Sequence, residues 1–313
     1  MGSGIDPKVD FAFKRVFGSP ENAFVLKHLL NSVLIGSRPR LEEVDVLNPF
    51  SQKDGATDRM AVIDIKARDE QGREYLIEMQ MAVHNAFSER LLLYAAKTYS
   101  QQLAVGEGYH QLRPVTVVCF LNDVLFPEAT EYHACYELRE ATTHRQFSDH
   151  WQIHVVELPK FHRRVSDLAL DLERWTYFLQ HGDELDSQSL PPQLTVPEIV
   201  KATETLTMLS HTDQERELYE ARLKFQRDEE ARMRYSQEQG EAKGEAKGEA
   251  KGLVAGAILN ARETLLRLGK IRFGTIPPVV SELVNAIDDK NRLAVLTDQI
   301  LDAADWTSLF PSI

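Results

Sequence analysis

Two segments, Ala61-Val62-Ile63-Asp64-Ile65-Lys66-Ala67 and Glu74-Tyr75-Leu76-Ile77-Glu78-Met79-Gln80-Met81, decide how the chain is read. Both alternate in the manner of half-buried strands. Between them lies Arg68-Asp69-Glu70-Gln71-Gly72-Arg73, polar and containing one glycine. With Glu70-Gln71-Gly72 as a short hairpin loop, Gly72 falls where a left-handed residue is wanted. The register then follows by counting: Asp69 faces Arg73, Ala67 faces Tyr75, Asp64 faces Glu78, and Val62 faces Gln80.

Strand side chains alternate faces, so Ile63, Ile65, Tyr75, Ile77 and Met79 are expected on one side. Asp64, Lys66, Glu78 and Gln80 are expected on the other. Carboxylates opposite each other on neighbouring strands repel, which implies a raised pKa or a bound cation. Oxygen donors in this arrangement suit Mg²⁺ or Mn²⁺ better than zinc. The plainer alternative is a solvated face whose carboxylates splay into water.

Length bounds the rest. The 313 residues suggest about two domains with room for a sizeable core. Hydrophobic residues at 43% and charged residues at 27% fit a soluble protein. No apolar run nears the roughly 20 residues that span a bilayer, so no membrane partner is expected. The N-terminus has no signal-peptide core, and Cys119 and Cys135 make neither a disulfide framework nor a zinc site. A cytoplasmic location is the expectation. The net charge of −12 argues against indiscriminate nucleic-acid binding. It is uneven: residues 1–165 carry −3 and residues 166–313 carry −9. The first half can therefore still present a basic rim.

In chain order, Asp10 to Gly18 reads as a helix with Phe13, Val16 and Phe17 on one face. Glu21 to Ile35 reads as a second, capped by Asn22 or Ser19. Leu41 to Leu47 is a short strand, and Pro49 to Arg59 a polar loop. After the hairpin, Phe87 to Val105 reads as a helix on which Arg90 and Tyr94, four apart, point the same way. Val115 to Leu121 has the unbroken apolar pattern of a strand covered on both faces. Tyr132 to Leu138 and Gln152 to Leu158 are further strands. A mixed sheet flanked by helices, in the α/β class, follows.

The domain expected at residues 1–185 is followed by a charged helical segment at 190–239, its long helix starting at Glu198. Then comes a repeat, Gly240-Glu241-Ala242-Lys243 and onward to Gly252. Each glycine costs a helix roughly 1 kcal/mol. The repeat at 240–252 therefore reads as a marginal helix or a linker. Residues 253–313 read as three short helices, the first ending near Gly269, a small module through which the chain could form a homo-oligomer.

The ordered set Asp10-x-x-Phe13-Lys14-x-x-Phe17-Gly18, Asp64, Glu78-Met79-Gln80 and Arg90-x-x-x-Tyr94 resembles the PD-(D/E)XK nuclease-superfamily transposases. The branch it resembles most is the Rpn family of recombination-promoting nucleases, over roughly residues 5–180. The resemblance implies a restriction-endonuclease-like core that cleaves DNA with Mg²⁺, or with Mn²⁺. It also implies roles. Asp64 and Glu78, with the Met79 carbonyl, would hold metal, and Asp10 would join or orient that site. Gln80 stands where most of the superfamily has lysine, so it could orient water but brings no charge. Lys66, on the same expected face, is a candidate to supply that charge, or is a plain surface lysine. Lys14 and Arg90 are candidates for the DNA backbone, with Tyr94 in support. Two other classes stay open: a DNA-binding or assembly protein that lost efficient chemistry, and a scaffold built on the helical tail.

Overall fold

The structure, a computed structural model, describes residues 2–34, 36, 38–48, 63–83 and 86–311. Its hairpin pairs β2 (Ile65–Asp69) with β3 (Glu74–Gln80) in the counted register, Ala67 opposite Tyr75. The Asp69 N–H donates to the Arg73 carbonyl at 3.1 Å, and Gly72 has φ +79°. A buried carboxylate holds the turn. Asp69 Oδ1 accepts the N–H groups of Gln71 and Arg73, while Oδ2 accepts the Tyr75 hydroxyl at 2.9 Å and Arg73 Nε.

The other end of the hairpin differs from expectation. The pairing of Val62 with Gln80, the loop from Pro49 to Arg59, and Ile35 lie outside the described residues. Strand β2 begins at Ile65 because the chain bends at Asp64. The bend breaks the alternation. Ile63 therefore packs with the cluster of Leu76 and Leu91, not on the face of Ile65.

Strands β1 (Val44–Val46), β4 (Val115–Leu121), β5 (His133–Arg139) and β6 (Gln146–Glu157) complete a six-stranded sheet. The order is β1-β2-β3-β4-β6-β5. Pairs β3/β4 and β4/β6 are parallel and the others antiparallel, which makes the sheet mixed. Every residue of β4 is buried, as its unbroken apolar run requires, and Cys119 is a packed thiol within it. Strand β6 starts six residues before the expected Gln152. Its first part, Gln146 to His150, is mostly exposed and polar apart from an exposed Phe147, and carries no alternation to read.

Helices cover both faces. Ile65, Ala67, Ile77, Val118 and Phe120 pack against α1 (Asp10–Phe17), α2 (Ala23–Val33) and further helices. Leu76, Val117 and Cys119 pack against Phe87, Leu91 and Ala95 of α3 (Phe87–Ser100). Asn22 does not cap α2. Its Nδ2 donates to the Val16 carbonyl at 3.0 Å, and Ser19 Oγ donates to that of Arg15 at 2.8 Å. Both side chains thereby satisfy the free carbonyls at the end of α1 and fix that helix.

The core continues through α4 (Asp171–His181), with Trp175 and Phe178 fully buried, into α5 (Pro197–His211). Ile199, Ala202, Leu206 and Leu209 of α5 are buried, so this helix belongs to the first compact unit, Met1–Asp228. The charged segment is not one helix: it breaks at Thr212, and α6 (Asp213–Phe273) follows.

Helix α6 runs 61 residues and includes the whole repeat, which is helical. The glycines weaken it, but helix already nucleated on both sides lets propagation carry through. The second unit, Glu229–Ile313, has its own core of Leu265, Val280, Val284, Leu293, Trp306 and Leu309. It uses α7 (Pro278–Asn285), α8 (Lys290–Gln299) and α9 (Trp306–Leu309) with the end of α6. Gly269 does not end the first of these helices. A Cβ there would lie 2.1 Å from the Trp306 ring, so glycine is the residue that lets this indole seat. Among the described residues no helix is long and apolar enough to cross a membrane.

Candidate active site

The bend before β2 turns Asp64 toward α1. Asn48 makes the bend: its Nδ2 donates to the Ile63 carbonyl at 3.1 Å and its Oδ1 accepts the Lys66 N–H. The Asp64 carboxylate then spans two elements. Oδ2 accepts the Met79 N–H from β3 at 2.9 Å, and Oδ1 lies 3.3 Å from Lys14 Nζ on α1. Lys14 also holds Asp10 Oδ1 at 2.6 Å, one helical turn away. The Asp10 carboxyl is within hydrogen-bonding reach of Asp64 as well.

Glu78 is 8% exposed, and its carboxyl accepts the Asp64 N–H. Its Oε1 has no hydrogen-bond partner among the described residues. Arg90 arrives from α3, with its guanidinium 5.7 Å from the Phe87 ring centre and Nη2 2.6 Å from Gln80 Oε1. That bond leaves Gln80 Nε2 as the amide's donor toward a ligand. Tyr94, one turn on, stands near enough to Arg90, Glu78 and Asp64 to feel their charges.

Burial dominates the electrostatics. It raises the Asp64 pKa to about 7, with Lys14 opposing the rise and Asp10 adding to it. Burial also lifts Glu78 well above the ordinary carboxylate range, and the charge of Asp64 adds to this against Arg90 and Lys14. Burial disfavours the Lys14 ammonium, but Asp64 and Asp10 outweigh it and raise its pKa. Near neutrality the two buried carboxyls thus compete for a proton, and a cation can take the proton's place.

The donor set fits a hard divalent ion in part. Asp64 and Glu78 offer oxygen only, and the unpartnered Glu78 Oε1 is an acceptor in need of a positive partner. Among the described residues no three His, Cys, Asp or Glu side chains form a finished metal-ligand set. Asp10 is engaged with Lys14, and Met79 touches Asp64 through its N–H.

The fold thus gathers Asp10, Lys14, Asp64, Glu78, Met79, Gln80, Arg90 and Tyr94 around one end of the hairpin. Lys66 is not among them. Its Nζ lies 2.9 Å from Glu74 Oε2, and Glu74 also binds Arg68 at 2.7 Å. Glu74 is 3% exposed, so its carboxylate is a buried charge that these two cations compensate. Asn48 escaped the sequence reading. An asparagine before Pro49 signals a turn, and nothing in it names the distant backbone it clamps.

Residues 7–236 match a family model described as PD-(D/E)XK nuclease family transposase. The chain belongs to that family. Membership and the six-stranded mixed sheet agree on a restriction-endonuclease-like core, and the family supports a nuclease-related function. Neither the curated proteins nor the solved structures compared with this PD-(D/E)XK family member gave a match.

Proposed function

We propose that the chain is a divalent-metal-dependent DNA endonuclease of the Rpn branch, acting in the cytoplasm in recombination or on mobile elements. One observation carries this reading: two buried carboxyls of raised pKa, Asp64 and Glu78, share a site with an orphaned acceptor oxygen and cations on either side. Asp64 and Glu78 would hold the metal, with Asp10, kept beside Asp64 by Lys14, as a further carboxylate. When bound, Mg²⁺ or Mn²⁺ supplies a water activated at neutral pH and charge neutralisation at the phosphate. The chain's own groups do the positioning. Gln80 Nε2 donates to the attacking water or a phosphate oxygen, Arg90 holds the amide in that sense, and Tyr94 lines the approach. Overall, the water oxygen bonds to phosphorus while the bond to the leaving sugar oxygen breaks. The water gives up one proton and the leaving oxygen gains one.

A specific observation favours a second reading, a DNA-binding protein of weak activity on the same fold. Gln80 is neutral where a lysine would bring charge, and Lys66 is occupied by Glu74. Supercoiled plasmid incubated with Mg²⁺, Mn²⁺, Ca²⁺ or EDTA separates the two. Nicking or linearisation that needs metal, and is lost in Asp64→Ala and Glu78→Ala, supports the nuclease. DNA binding without product under every ion favours the second.

A further inference from the structure

We propose that Lys14 supplies the positive charge missing from Glu78-Met79-Gln80, facing the scissile phosphate from α1; the assignment rests on the nuclease reading above. Three other basic or polar groups compete for the role. Gln80 carries no charge, and its Oε1 is taken by Arg90. Lys66 pairs with Glu74, toward the turn of the hairpin. Arg90 directs Nη2 at Gln80 and lies over the Phe87 ring, and its Nε, though without a partner among the described residues, is buried.

Lys14 puts an ammonium in ion-pair contact with Asp64 from a separate, rigid element. Its Nζ lies 2.6 Å from Asp10 and 3.3 Å from Asp64. Helix α1 cannot easily shift, because Phe13 and Phe17 are fully buried and Ser19 and Asn22 bind its last carbonyls. An ammonium has three N–H donors. Two are directed at Asp10 and Asp64, and the third remains for a phosphate oxygen beside them.

In hydrolysis, negative charge builds on the non-bridging oxygens as the water oxygen bonds to phosphorus and the leaving oxygen departs with its electron pair. Lys14 meets that charge by donating a hydrogen bond, and keeps its proton throughout. A fixed donor of this kind is worth about 100-fold or more in rate. The lysine missing from the strand is thereby replaced by one on a helix, at the same carboxylates.

The test compares wild type, Lys14→Gln, and Lys14→Gln combined with Gln80→Lys. Each is assayed for plasmid nicking with Mn²⁺, and each is titrated calorimetrically with Mn²⁺ alone. Lys14→Gln is expected to cut about 100-fold more slowly. It should bind Mn²⁺ as tightly as wild type or tighter, because an ammonium no longer competes for Asp64. The double variant should recover about tenfold or more. Lys14→Gln cutting within about threefold of wild type overturns the assignment. So does a loss of cutting joined to weaker Mn²⁺ binding and no recovery, since Lys14 would then only hold Asp64 in place. Wild type that cuts with no divalent ion, or that fails to cut with any, sinks the metal-dependent nuclease reading itself, and does so before any variant is compared.

Discussion

Arg90 Nη2 and Gln80 Oε1 stand 2.6 Å apart, joining α3 to the end of β3. The bond settles the amide's sense and sets a guanidinium near Glu78, where its charge opposes the rise in that carboxyl's pKa. Arg90→Leu should therefore free the amide and further disfavour ionised Glu78. Single-turnover cleavage is expected to fall tenfold to about 100-fold, with a smaller change in DNA affinity. If affinity falls and turnover does not, Arg90 is a DNA-backbone contact and the Gln80 bond is incidental.

Without metal, the acidic pair ties stability to pH. Burial raises Asp64 to about 7 from an ordinary value of 3.8, and Glu78 moves in the same direction. The folded state thus binds more protons than the unfolded chain across that window. Its contribution is fully present below the unfolded pKa and is lost as pH rises through the folded one. In EDTA, urea stability should fall as pH rises from about 4 to about 8, and Asp64→Asn should flatten the slope. Identical slopes in the two proteins would mean that Asp64 does not titrate in this way.

Asn48 bonds backbone on both sides of Asp64, at Ile63 and Lys66. Asn48→Ala leaves those groups to find other partners and should cost about 1–3 kcal/mol in urea unfolding. Cleavage should fall by more than the folded fraction does, because the bend aims the Asp64 carboxylate. Stability loss with unchanged specific activity would remove Asn48 from the site's support.

The hairpin was legible because a buried face enforces strict alternation and Gly72 marks the turn, so one count placed Ala67 opposite Tyr75. The unbroken apolar run of β4 was legible for the same reason. The bend at Asp64 was not, since it depends on a side chain 16 residues earlier making bonds across the fold. The contact of Lys14 with Asp64 was not legible either, because sequence places Lys14 on α1 but cannot say which carboxylate lies beside that helix. Lys66 shows the converse. Its face was right, yet Glu74 on the neighbouring strand claims it. For α5 the signal was present: Ile199, Ala202, Leu206 and Leu209 form a stripe that the charged residues around it obscured.

The repeat gives a prediction free of the site. A Cβ at Gly244 or Gly248 would meet nothing within 4 Å. Alanine at these positions adds helix propensity without a clash, worth about 1 kcal/mol each. Circular dichroism of Gly244→Ala combined with Gly248→Ala should show helix melting at higher temperature. An unchanged or lower transition would contradict a continuous helix through residues 240–252.

Calorimetric titration of Mn²⁺ into wild type, Asp64→Asn and Glu78→Gln tests most directly whether the two carboxyls form one cation site. The account predicts binding that releases protons, more at about pH 6 than at about pH 8, because the ion displaces a proton from the acidic pair. Both variants should lose most of that binding. Mn²⁺ affinity and proton release unchanged in the two variants would contradict the account.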